Sequence, residues 1–200
     1  MRAPGSGLPE FASMADVSVR PAQARDAPAV ARVQEAAWGS DYRGLLPGEL
    51  LTALGSEPGA QRWRSSVQAP PSPRHRVLVA CAGRDVVGVA AVGPSEDRDL
   101  DARVDAEIGV LLVAPDARGA GHGSRLLMAS VEHLRLEAFE RAYTWVAAAD
   151  DTQRAFLVGA GWAADGAHRR LDLRGDGAVV VTQVRLHTDI RPAPPEAGRR

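Results

Sequence analysis

Two hundred residues, 45% of them apolar and 24% charged, fit one globular domain with a core of its own and exclude a disordered or fibrous chain. The formal net charge of −1 provides no global field that would draw the chain to nucleic acid or an acidic membrane. All 24 Lys+Arg positions are arginine and asparagine is also missing, a bias that warns against reading any single Arg as a phosphate ligand.

One cysteine, Cys81, excludes an internal disulfide and reads as a small buried strand residue. His75, His122, His133, His168 and His187 lack metal-ligand spacing, so no metal site is expected. No apolar run reaches the roughly 18 residues that span a bilayer, and the first residues carry no signal-peptide core; a cytoplasmic protein is expected.

Residues 1–15, rich in Gly, Pro, Ser and Ala, read as a disordered extension, with Met14 a candidate start; 16–188 read as the domain and 189–200 as a Pro-rich tail. Val17–Pro21 reads as a strand. Asp26 is placed to cap a helix through Val30, Val33, Ala37 and Trp38. Short helices follow from Pro47, with Leu50, Leu51 and Leu54 on one face, and over 60–67; Ala69–Pro73 must be loop. Strands at 77–82 and 86–92 flank the turn Gly83–Asp85 and predict a β-hairpin. A charged loop, Ser95 to Arg103, precedes a strand over 104–113 and a glycine loop that opens a helix to about Phe139. Strand 143–147, helix 152–159 and a β-rich stretch at 179–186, with 162–173 as its candidate partner, complete a mixed α/β (α+β) pattern. Trp145 and Trp162 read as core, and Trp38 and Tyr42 as packing for the first helices.

The most informative stretch is Leu111-Leu112-Val113-Ala114-Pro115-Asp116-Ala117-Arg118-Gly119-Ala120-Gly121-His122-Gly123-Ser124. A strand, a loop with Gly at alternate positions and a helix start make an anion site from backbone alone. The first N–H groups of a helix lack internal partners, the helix dipole is positive there, and glycine lets a phosphate approach them.

Arg118-Gly119-Ala120-Gly121-His122-Gly123 resembles the (Gln/Arg)-x-x-Gly-x-Gly/Ala pyrophosphate loop of the GNAT superfamily of acetyl-CoA-dependent N-acyltransferases. Glu107 to Pro115 resembles the family's Glu-bearing fourth strand, Phe156 to Trp162 its Phe-Tyr-x-x-x-Gly-Phe segment, and Trp38 to Pro47 the aromatic link between its first helices. The resemblance covers about 17–186. It implies a GNAT-like central sheet of about six or seven strands, flanked by helices and splayed between strands 4 and 5. It further implies acetyl-CoA as co-substrate, its pyrophosphate on amides of Arg118, Gly119, Ala120, Gly121, His122, Gly123 and Ser124, and its pantetheine along Leu111, Leu112 and Val113. Asp150 stands where the family's cofactor-touching Asn is frequent, and Glu107 where the general base is frequent. The family's frequent Tyr acid is replaced by Leu157, which has no proton to give.

The expected activity is therefore transfer of acetyl directly to a primary amine of a small molecule or protein, with possible homodimerisation as in many relatives. The alternative is a non-catalytic acyl-CoA-binding or sensor module. The acidic loop Glu96–Asp105 reads either as a solvated surface or as a hint of a cationic acceptor.

Overall fold

The computed structural model describes residues 17–43, 46–172, 177 and 179–192. The expected extension at 1–15, Gly44 and Leu45 of the aromatic link, and the tail beyond 192 lie outside the described residues. The strands are β1 (Val17–Pro21), β2 (Arg76–Ala82), β3 (Asp85–Pro94), β4 (Asp105–Val113), β5 (Arg141–Ala147), β6 (Ala163–Asp172) and β7 (Val180–Asp189). The helices are α1 (Ala27–Asp41), α2 (Gly48–Gly55), α3 (Glu57–Gln68), α4 (His122–Leu136) and α5 (Asp151–Gly159). They build one sheet of order β1-β2-β3-β4-β5-β7-β6, antiparallel except where β4 meets β5.

Strand alternation distributes the core over both faces. Val77, Val79 and Cys81 of β2 pack beneath Val30 and Val33 of α1 and Trp63 of α3. On the opposite face Leu127 and Leu134 of α4 and Leu157 of α5 meet Ile108, Val146 and Leu186. Helices thus cover both faces of the β1–β4 half. The α1-side face of β5, β7 and β6 is roofed instead by the loop between β3 and β4, through Asp97.

Three local expectations are corrected. Asp26 does not cap α1 with its side chain: its carboxylate takes the Gln23 N–H at 2.7 Å and a two-pronged bond from Arg20, which holds it below the usual carboxylate range. Helix α4 ends at Leu136 rather than near 139, because Ala138 turns left-handed (φ 60°) and the Phe139 N–H returns to the Leu134 carbonyl at 3.1 Å. The core extends to Ile190, which is 1% exposed and bonded through its N–H to Glu140 and through its carbonyl to Arg135, two residues past the expected limit of 188.

Candidate active site

The parallel pairing of β4 with β5 stops after Asp105–Arg141, Ala106–Ala142 and Glu107–Tyr143, although β4 continues to Val113 and β5 to Ala147. The Thr144 hydroxyl donates to the Ile108 carbonyl at 2.8 Å where the strands part. The cause of the parting lies in β4. Val92 of β3 pairs with Ile108 but Ala91 pairs with Val110, so Gly109 is an extra residue, and a bulge bends the strand that carries it. Past the bulge the face assignment inverts: Leu111 joins Ile108 on the α4 side, while Val110 and Leu112 pack toward α1. The β5-facing edge of Leu111–Val113 is left without a strand partner, a template for an added extended chain.

The wedge so formed is a cleft of about 720 Å³ lined by Leu111, Leu112, Val113, Gly119, Gly121, Gly123 and Ser124 on one side and by Asp150, Gln153 and Phe156 on the other. Gly119 (φ 78°) and Gly121 (φ 83°) adopt left-handed backbone, which side-chain-bearing residues reach only at a cost. The N–H groups of Gly119, Ala120 and Gly121 meet no backbone acceptor among the described residues, and the first helical bond of α4 is Arg125 N–H to Gly121 O, at 3.2 Å. A row of unused donors therefore runs from 119 into the positive end of a 15-residue helix. A side chain on Gly123 would come within 3.7 Å of Val113 and Phe156, so glycine keeps the inner end of the cleft open.

The residues expected to bind are placed unevenly. His122 turns its side chain inward, 3% exposed, and has only its main chain to offer. Ala120 is exposed and lies outside the cleft lining. The Arg118 N–H leans on the Pro115 carbonyl at 3.4 Å. Its side chain lines the cleft, with Nε on the Val113 carbonyl at 3.2 Å and both terminal nitrogens on Asp41 at 2.7 and 2.9 Å. Asp150 caps α5 by accepting the Gln153 N–H at 2.8 Å, a task for which Asp serves as well as Asn. Asp41 and Gln153 escape the sequence reading. Asp41 is 77 positions from its partner, and Gln153 reaches the Leu111 carbonyl across the wedge at 3.4 Å; neither has a local signal.

Glu107 sits at the apex, beside Tyr143, with its Oε1 directed over Gly109. It has no hydrogen-bond partner among the described residues. Burial pushes its carboxyl above the ordinary glutamate value; the nearby Arg169 pulls it back down, and Asp97 and Glu96 push it further up. A solitary carboxylate with an elevated proton affinity is suited to accept a proton. Around it on the same face stand Tyr143, stacked on His187 at 5.7 Å, and Trp145. Trp145 was expected in the core; instead it faces this basin, giving its indole N–H to Asp97 at 2.9 Å, whereas Trp162 is buried as expected. Leu157 is 1% exposed within the core. Tyr42 lines a smaller side cavity with Asp41 and Asp150, and burial together with those two charges raises its phenol above the usual value, so it stays protonated.

The loop of 95–103 is exposed at Glu96, Arg98, Asp99 and Arg103, as the surface reading expects, but three of its aspartates are paired and do not form a free acidic patch. Asp97 and Asp99 both bind Arg185 of β7, a guanidinium 5% exposed that also takes Asp165, while Asp101 binds Arg103.

The Acetyltransferase (GNAT) family profile matches residues 36–162, more than half of the chain, and the protein belongs to that family. Solved structures agree in fold. PaiA N-acetyltransferase from Thermoplasma acidophilum, in complex with coenzyme A, superposes with a TM-score of 0.67 at 13% identity, covering 87% of this chain and 99% of its own. Salmonella typhimurium yncA with acetyl-CoA gives 0.65 at 15% (92% and 99%), and the ribosomal-protein-alanine N-acetyltransferase of Brucella melitensis 0.64 at 22% (86% and 99%). No curated protein matches the chain in sequence.

Proposed function

We propose that the protein acetylates a primary amine, with acetyl-CoA as donor and Glu107 as general base. The observation that carries this reading is the juxtaposition of a parted β4–β5 wedge, a row of unused loop amides at its mouth and an unpartnered carboxylate at its apex. The cleft suits coenzyme A on its own chemistry. Amides from Gly119 to Ser124 would take the diphosphate, and the free edge of Leu111–Val113 would pair with the pantetheine amides. Asp150, already committed to its cap, contributes acceptor capacity only.

Acetyl-CoA supplies a thioester, an acyl group already activated toward nitrogen. The chain's own part is to deprotonate and position. An alkyl ammonium with a pKa of about 10 carries no free lone pair at neutral pH; one proton passes to Glu107, the freed lone pair forms the N–C bond, the C–S bond breaks with sulfur departing as thiolate, and the second proton that nitrogen sheds on becoming an amide passes to water. A thiol of pKa about 8.5 leaves without obligatory protonation, so Leu157 slows the reaction rather than preventing it. With no cysteine beside the apex among the described residues, transfer is read as direct, without an acyl-enzyme.

Thiol release from acetyl-CoA across a panel of primary amines tests the reading. Turnover is expected, and Glu107→Gln is expected to lower kcat by about 10²- to 10⁴-fold with coenzyme affinity retained. Tight coenzyme binding without turnover on any amine would instead identify an acyl-CoA-binding module.

A further inference from the structure

The face beside Glu107, partly covered by the β3–β4 loop, carries two arginines in contrasting circumstances. In antiparallel ladders directly opposed residues share a face, so Tyr143–His187, Trp145–Arg185 and Arg169–Gln183 place all six side chains on one surface. The Glu107–Tyr143 pairing adds Glu107 to it. Arg185 is saturated by Asp97, Asp99 and Asp165. Arg169 is not: its Nε donates to Gln183 Oε1 at 2.7 Å, and its guanidinium lies 4.4 Å over the Trp145 ring. No carboxylate approaches within 4.0 Å of it among the described residues, and its two terminal nitrogens have no hydrogen-bond acceptor there.

A half-buried guanidinium with no carboxylate in contact among the described residues is held at a cost, since burial opposes its charge more than the nearby Glu107 and Asp97 support it. The Trp145 face and the Gln183 oxygen fix its plane, so its terminal fork is presented ready-made. An ordered pair of N–H groups of this kind matches a carboxylate two-pronged, more selectively than any neutral group. The neighbouring negative charges of Glu107, Asp97 and Glu96 disfavour a dianion such as phosphate, and they suit the ammonium end of the same molecule.

We propose that Arg169 determines acceptor specificity by binding a carboxylate borne on the molecule whose amine is acetylated, so that the preferred acceptor is a small amino-carboxylate. The proposal rests on the acetyltransferase reading above. The ammonium is drawn to Glu107, the carboxylate to Arg169, and Trp145 supplies the apolar floor between them.

The test compares kcat/KM, for the full chain with acetyl-CoA, on pairs of amino acids and their carboxamides, each rate corrected for the unprotonated amine fraction. The wild type is expected to favour the acid by about 10- to 100-fold, the range of a charge-assisted hydrogen bond. Arg169→Gln is expected to erase that ratio, chiefly through KM for the acid, and Arg169→Lys to restore part of it. An acid-to-amide ratio within threefold in the wild type, or one that survives Arg169→Gln in a variant with wild-type melting temperature, overturns this proposal while leaving acetyl transfer intact. Absence of turnover on every amine overturns both.

Discussion

Gly121→Asp separates the energetics of the loop from those of its ligand. In the free protein the substitution meets two opposed terms. A side chain at φ 83° costs about 1 kcal/mol, Asp being among the residues that tolerate the left-handed region best. Its Cβ would fall 2.5 Å from Arg125 Nη1, the mobile end of a long side chain that swings away cheaply. Against this, Asp is a favoured residue at a helix N-cap, where the dipole welcomes its charge. The net loss is expected to be at most about 1 kcal/mol, or roughly 2–4 °C in Tm for a domain of this size. With coenzyme A the balance changes. A carboxylate about 5 Å from one diphosphate charge, at an effective dielectric of about 20, opposes binding by about 3 kcal/mol, roughly 100-fold in Kd. Calorimetric titration with coenzyme A and a thermal melt measure the two effects separately. Gly161→Ala is the control: it is equally left-handed (φ 88°) and stands past the far end of α5, outside the cleft lining and five residues beyond Phe156. It should cost stability but no affinity. Coenzyme affinity of Gly121→Asp within threefold of wild type would refute the amide cradle.

Glu107→Gln should trade activity for stability. Burial raises the folded-state pKa of Glu107 above its unfolded value, so ionisation at neutral pH works against the fold. The variant is expected to melt higher than wild type at pH 7, and the advantage should vanish below about pH 4.3, where both states of the wild-type residue are protonated; a lower melting temperature at pH 7 contradicts this. Arg185→Met keeps the aliphatic stem but strands Asp97 and Asp165, each 19% exposed, together with the more open Asp99. A loss of about 3 kcal/mol, roughly 6–12 °C in Tm, is expected by differential scanning calorimetry; a shift under 2 °C would show the network to be ornamental.

Much of the architecture was legible because hydrophobic period is a local quantity. The β2–β3 hairpin, the strand-loop-helix around Gly121 and the late β6–β7 pair each announce themselves within one short contiguous stretch of chain. The glycine loop with its unused amides was legible for the same reason, since those donors come from consecutive backbone. What escaped is what depends on contact across the chain. The wedge needs an extra residue at Gly109, which no alternation pattern distinguishes from an ordinary strand glycine. Trp145 has the sequence neighbourhood of a core residue, and only the absence, among the described residues, of a helix over the α1-side face of β5, β7 and β6 turns it into the floor of a basin. The acidic loop is exposed as its sequence reads, but that two of its aspartates pair with Arg185, 86 positions beyond Asp99, has no local signal. Asp26 shows the converse: a local capping signal loses to a tertiary partner, because Arg20 on β1 offers its carboxylate a charged, two-pronged bond.

The most direct measurement is a crystal structure of the protein with coenzyme A. The account predicts the diphosphate on the main-chain amides of 119–124, the pantetheine alongside Leu111–Val113 and the thiol end directed toward Glu107. A complex with the diphosphate seated away from those amides, or with the pantetheine outside the β4–β5 wedge, would contradict it.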